Sequence, residues 1–297
     1  MNPPTLPPEP LNWPEAAAQK VEIDVLRLDL LHPILSGNKW FKLQHHLELA
    51  GRAPILTFGG AWSNHLVATA FAAQQAGLTA IGMIRGERSS TLSATLQEAA
   101  GYGMQLEFIT REEYAQKTTP AFLQHWSDRY PGAYIIPEGG GGLPGIIGSE
   151  TILCKTDAAS YTHILCAVGT GTTFLGLVRA SQPGQTVIGV PVLKGMQELS
   201  AIDLAGILTP EQIRRTHLFP DHHFGGYARH PQTLLDFMNS LYKTSGIPTD
   251  IVYTGKLYYA VQDSVRNLFF PAHSRLLIIH SGGLQGNRSL TPGRLAF

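Results

Sequence analysis

The sequence predicts a two-lobed α/β protein in which each lobe is an open, twisted, mostly parallel sheet flanked by helices. Three observations carry this. Short apolar runs alternate along the chain with helix-like segments, the signature of α/β folds. Most of those runs are rich in leucine and β-branched residues without clean polar alternation, as strands covered on both faces should be. At 297 residues and 43% hydrophobic, the chain can bury one large core or two ordinary ones, and two lobes fit the alternation better.

In chain order, the first twenty residues, beginning MNPPTLPPEPLNWPE, are proline-rich and predict an extended arm. Strands are predicted over 54–58 (PILTF), 78–84 (LTAIGMI), 104–109 (MQLEFI), 133–136 (AYII), 163–168 (HILCAV), 186–192 (TVIGVPV) and 275–280 (RLLIIH). Helices are predicted over 64–76, ended by Gly77, over 92–100, ended by Gly101, and over 172–180. GGGGLPG, residues 139–145, is the most flexible-looking point. With a break near residue 45 it brackets a smaller lobe, 45–150, inserted into a larger one made of 1–44 and 151–297.

Composition removes several function classes. With 22 basic and 22 acidic side chains and no block of like charge, nothing predicts a grip on nucleic acid or an anionic membrane. Small neutral or zwitterionic ligands fit better. No apolar run reaches membrane-spanning length, and the opening residues resemble no targeting signal, so a cytoplasmic protein is expected. Cys154 and Cys166 sit in apolar surroundings without metal-like spacing and read as buried free thiols. The adjacent histidines at 45 and 46 and at 222 and 223 do not face one another on a helix and have no third ligand at a useful spacing, so no metal site is expected.

Four stretches could carry chemistry. GTGTT, residues 169–173, follows a predicted strand and opens a helix, where glycines and free amides suit a phosphate. It matches neither the dinucleotide fingerprint nor the P-loop, and a tight turn with nothing bound is about as common. GGAWSNHL, residues 59–66, also ends a strand, and Ser63, Asn64 and His65 could receive a carboxylate. Capping statistics alone favour a plain helix cap at Ser63, with Asn64 and His65 as solvated first-turn residues. Ser281 in IIHSGG stands at a sheet edge where α/β folds bind ligands, although a turn serine is the plainer reading. Tyr227 in HHFGGYARH and Tyr253 in DIVYTGKL could act as acids, bases or anchors, although such residues are more often packed in a core or an interface.

SGNKWFKL, residues 36–43, places Lys39 before two aromatics. A lysine that traps an aldehyde needs its amine neutral or its imine strongly favoured. A phosphate pocket, a hydroxyl for a ring nitrogen and a carboxylate receptor are what pyridoxal phosphate requires around such a lysine. The ordered set GNKWFKL, GGAWSNH, the glycine-threonine loop, VYTGK and HSGG resembles the 1-aminocyclopropane-1-carboxylate (ACC) deaminase and D-cysteine desulfhydrase family, over roughly residues 34–286. That family uses pyridoxal phosphate and the tryptophan synthase β-subunit fold, known as fold type II.

The resemblance implies that Lys39 carries the cofactor and that Asn64 hydrogen-bonds its phenolic oxygen. The phosphate would sit on Gly169, Thr170, Gly171, Thr172 and Thr173, and Ser281 would face the pyridine nitrogen. Ser63 and His65 would hold the substrate carboxylate, Ser63 with a possible part in proton transfer, and Tyr227 and Tyr253 match the active-site tyrosines. It also implies a small amino-acid substrate and a homodimer. The chain departs from the family's usual GNKxRKL, GGxQSNH and EGGSN at Phe41, Trp62 and the EGGGG run, without losing a required functional group.

ACC deaminases usually read VYEGK and HLGG, while D-cysteine desulfhydrases have threonine at both variable places. Thr254 and Ser281 side with the second pattern. An acid near the pyridine nitrogen strengthens the electron sink that cyclopropane opening demands, whereas a thiolate leaves more easily. The sequence therefore points to β-elimination from D-cysteine, giving pyruvate, hydrogen sulfide and ammonia. ACC deamination, dehydration of a β-hydroxy amino acid and a non-catalytic phosphate-ligand-binding protein are the alternatives.

Overall fold

The computed structural model describes residues 5–196, 198, 200, 202 and 206–297. Its strands are β1 (Glu9–Pro10), β2 (Glu22–Arg27), β3 (Ile55–Gly59), β4 (Ala80–Arg85), β5 (Gln105–Ile109), β6 (Tyr134–Ile136), β7 (His163–Val168), β8 (Thr186–Pro191), β9 (Thr216–Leu218) and β10 (Arg275–His280). The helices are α1 (Pro14–Ala18), α2 (Asn38–Ala50), α3 (Asn64–Gln75), α4 (Ala94–Gly101), α5 (Arg111–Ala115), α6 (Pro120–Arg129), α7 (Gly142–Glu150), α8 (Thr172–Ala180), α9 (Pro210–Arg214), α10 (Gln232–Ser245) and α11 (Thr254–Arg266).

Two sheets organise these elements, a six-stranded one in the order β1-β2-β10-β7-β8-β9 and a four-stranded one in the order β5-β4-β3-β6. Every pairing is parallel except β1 with β2. All seven strands expected from the sequence form, within two residues at either end. Their two-sided apolar character has a direct cause. In β10, Leu276 and Ile278 enter one core while Leu277 and Ile279 enter another on the opposite face. In β4, Ala80 and Ile84 face one cluster and Ile81 and Met83 a second. Each such side chain, fully withdrawn from water, contributes roughly 1.5–3 kcal/mol.

Helix α3 shows how local sequence sets an element's ends. Its alanines at 68, 70, 72 and 73 are buried, so the helix lies close against its neighbours. Gly77, at φ +67°, then reverses the chain. The Gly77 amide donates to Gln74 O (3.1 Å) and the Leu78 amide to Ala73 O (2.8 Å), closing the helix as a left-handed glycine stop does.

Four expectations need correction. Beyond residues 1–4, which lie outside the described residues, the proline-rich arm is docked: β1 pairs with β2, α1 forms, and Leu11 and Trp13 are buried in the core. The glycine run at 139–145 is packed rather than loose. A Cβ on Gly145 would lie 2.0 Å from Gly140 O, and one on Gly148 would lie 2.1 Å from Phe41 O, so glycine here buys the close approach of α7 to its surroundings. Helix α2 runs unbroken through residue 45, so the division at 44/45 falls inside a helix. Cys166 is buried but Cys154 is exposed, and both thiols are free.

Candidate active site

Parallel strands end on a common edge, and that edge is where the functional stretches gather. The β3 end delivers residues 59–65, the β7 end delivers 169–173 and the β10 end delivers 281–283. The cleft they enclose, about 670 Å³ with its open mouth, is lined by Lys39, Asn64, the 169–173 loop, Tyr253 and Ser281. Its outer continuation adds Ser63, His65 and Tyr227. All the candidate residues read from the sequence therefore meet at one place.

Lys39 stands in the first turn of α2, and its height over the cleft is set by Gly37. That residue has φ +66°, and a Cβ there would lie 1.9 Å from Ser281 O, so only glycine lets α2 begin on the Ser281–Gly282 backbone. The Asn38 amide donates to the same Ser281 oxygen at 3.2 Å. Lys39 Nζ donates to Asn38 Oδ1 at 3.0 Å, and Asn38 Nδ2 donates to Thr173 Oγ1 at 2.8 Å. Asn38 thus ties the lysine to the glycine-threonine loop, a part that sequence reasoning missed although it lies inside the quoted GNKWFKL. Burial lowers the Lys39 amine to about 8 against a partial opposing pull from Asp250. Lys42, one turn on, is buried with Nζ donating to Gly139 O at 3.2 Å, and desolvation followed by Lys39 holds its own pKa well down.

At the loop, Gly171 takes φ +82° and N-caps α8, leaving first-turn amides of that helix open toward the cleft. Thr170 Oγ1 and Thr172 Oγ1 lie 3.1 Å apart. Asn64 opens α3. Its Nδ2 donates one hydrogen to Gly283 O at 3.2 Å and keeps a second, while its Oδ1 is buried without a partner among the described residues. Ser63 is the N-cap residue by position, but its hydroxyl makes no capping bond, so the plain capping explanation does not account for it.

His65 differs from its expected use. Thr57 Oγ1 spends its proton on Ile136 O (2.8 Å), so it must accept from His65 Nε2 at 2.8 Å. Nδ1 is then a bare acceptor, buried and without a partner among the described residues. Burial, then Lys39 and Lys42, hold this imidazole well below its ordinary pKa. A neutral ring presenting a lone pair cannot donate to a carboxylate. What residue 65 offers an anion is its main-chain amide at the N-terminus of α3.

The tyrosines form a pair, with ring centroids 6.4 Å apart and edge to face. Tyr227 is half exposed at the mouth, while burial, Tyr227 and Asp250 raise the Tyr253 phenol well above its usual value. Lys256, one turn after Tyr253 on α11, donates to His223 O (2.9 Å) and Gly226 O (2.7 Å) and so fastens the loop that carries Tyr227. Thr254 is fully buried. Its hydroxyl donates to Asp250 Oδ1 at 2.7 Å and accepts from the Asp250 amide at 2.7 Å, so it does not address the cleft. Asp250 also accepts from the amides of Val252, Tyr253 and Thr254. Ser281 is then the hydroxyl that β10 presents to the cleft.

This donor set fits a phosphorylated pyridine aldehyde on the structure's own terms. It has a desolvated amine, a glycine loop with open amides and hydroxyls, an amide with a spare hydrogen, and a serine. Comparison with known proteins points the same way. The family model for pyridoxal-phosphate dependent enzymes matches residues 6–282. A candidate 1-aminocyclopropane-1-carboxylate deaminase of Thermotoga maritima is 28% identical over 307 residues, covering 95% of this chain and 96% of its own. A D-cysteine desulfhydrase of Salmonella typhi is 26% identical over 285 residues, covering 88% and 87%. The crystal structure of an ACC deaminase homologue superposes with a TM-score of 0.81 at 23% identity, covering 96% of this chain and 91% of that one.

Proposed function

The chain belongs to the pyridoxal-phosphate dependent enzymes, and on that premise we propose that it catalyses β-elimination from a small amino acid, with D-cysteine as substrate. The observation that supports the choice is the locking of Thr254 by Asp250 beneath the cleft wall, which leaves Ser281 as the hydroxyl that β10 offers for a ring nitrogen. A hydroxyl there supports a weaker electron sink, sufficient for a thiolate leaving group.

When bound, the cofactor supplies the electron sink that makes the α-proton acidic. The chain's own groups do the rest. The open amides at the N-terminus of α3 and the Ser63 hydroxyl, which makes no capping bond, would receive and orient the substrate carboxylate. Lys39 would hold the cofactor and, as a desolvated amine whose pKa is lowered to about 8, would serve as the base that takes the α-proton at neutral pH. The Tyr227–Tyr253 pair, with Tyr253 held as a neutral phenol, can give a proton to the departing sulfur. The four-stranded and six-stranded sheets are proposed as the cores of two lobes, and a homodimer as the working form.

The test uses protein loaded with pyridoxal phosphate beside Lys39→Ala. We expect a visible absorption band in the parent that the variant lacks, and sulfide with pyruvate from D-cysteine. 2-Oxobutanoate from ACC without sulfide from D-cysteine would overturn the substrate choice in favour of deamination. Absence of the band in the parent would remove the catalytic reading.

A further inference from the structure

Resting on the β-elimination chemistry proposed above and not on its D-cysteine substrate, we infer that Arg85 favours amino acids whose side chain carries a second anionic group, carboxylate or phosphate, over D-cysteine itself. Arg85 is the last residue of β4, next to β3 in the sheet, so its side chain leaves the same strand edge that delivers residues 59–65. It lines the outer cleft together with Lys39, Ser63 and Tyr227. The space left by the missing side chain of Gly60 receives it, with Nη2 3.4 Å from where a Cβ would stand. The Tyr114 ring supports the guanidinium from one side at 5.7 Å.

Charge is the second observation. Glu138, the acid on this wall, is ion-paired with Lys117 at 3.3 Å, and Lys117 also lies 4.8 Å from the Tyr114 ring centre. Arg85 has neither a hydrogen bond nor an ion pair among the described residues, and Arg111 enters the same recess. Trp62, 42% exposed, lines that recess beside them. An exposed, planar five-donor cation lying over an aromatic ring, in the same cleft as Lys39 and without a carboxylate partner among the described residues, matches a planar anionic group two-pronged. Neither cysteine nor ACC carries such a group beyond its α-carboxylate. For a β-substituent bearing the anion, the Cβ–substituent bond breaks with both electrons on the substituent, which takes a proton. One water is consumed, and pyruvate and ammonium are released.

Binding, not turnover, decides the matter. Calorimetry on the cofactor-loaded protein would compare glutamate with glutamine, aspartate with asparagine and O-phosphoserine with serine, each as D and L forms, with alanine as reference. We expect the parent to bind at least one anionic member roughly ten- to hundred-fold more tightly than its neutral partner. Arg85→Gln should lose that preference, and Arg85→Lys should retain part of it. The pair that shows the preference assigns carboxylate or phosphate. Equal affinity within every pair overturns the inference. So does an Arg85→Gln loss as large for alanine as for the anions, which would place the guanidinium on the α-carboxylate. Sulfide release from D-cysteine is scored separately, so a failed elimination and a failed anion preference cannot be confused.

Discussion

Lys39 shows how one side chain's surroundings set its chemistry. Its folded pKa of about 8 lies below the ordinary lysine value because burial penalises the ammonium more than Asp250 supports it. The neutral amine is the form that attacks an aldehyde, so covalent loading of apoprotein should accelerate about tenfold per pH unit below 8 and level off above it. Stopped-flow absorbance across pH 6–10 checks this, and a rise continuing to pH 10 would show an unperturbed lysine. At Gly37 the expected outcome is steric. Gly37→Ala puts a Cβ against Ser281 O in a conformation that disfavours it, so weaker cofactor retention and a lower thermal midpoint should follow. At this scale the sequence showed the reactive groups, because lysine, serine and tyrosine advertise their chemistry. It did not show Asn38, Arg85 or the tautomer of His65, whose roles depend on which neighbours have already spent their hydrogens.

Among the elements, α11 links the two tyrosines. Tyr253 precedes its first turn, and Lys256 one turn later holds the carbonyls of His223 and Gly226. Lys256→Met removes both charge-assisted bonds and leaves two carbonyls poorly satisfied. We expect faster amide exchange over residues 219–230 and a loss of roughly ten- to hundred-fold in kcat/KM, with the cofactor band unchanged. Unchanged exchange would mean that the loop is held by other contacts. Strands 163–168 and 275–280 were legible because two-sided burial writes an unbroken apolar run. β2 was not, since EIDVLR carries charge at Glu22, Asp24 and Arg27 although it pairs with β10 along its length. Those charges are met by partners that apolar patterning does not reveal: Glu22 pairs with Arg275, Asp24 accepts from the Tyr161 hydroxyl, and Arg27 pairs with Asp29 two residues on and with Glu9.

For the whole molecule, the buried Arg27–Asp29–His280 cluster joins the ends of β2 and β10. Arg27 meets Asp29 two-pronged at 2.9 and 2.7 Å, and His280 Nδ1 lies 3.1 Å from Asp29 Oδ1. Removing the Asp29 charge leaves Arg27 with only the more exposed Glu9 as a carboxylate partner, so Asp29→Asn should cost about 3–5 kcal/mol in denaturant titration. A loss under 1 kcal/mol would mean that water relaxes into the site. The seating of Gly37 on Ser281 and Gly282 reaches further still, because these residues come from opposite ends of the chain. A ribosome exposes the reacting lysine long before the platform beneath it. Nascent chains arrested before residue 275 should therefore stay colourless when the vitamin-derived cofactor is supplied, and colour should develop only after release. Competence waits for the Ser281–Gly282 platform, which spares the cell a partly made protein carrying an active aldehyde trap.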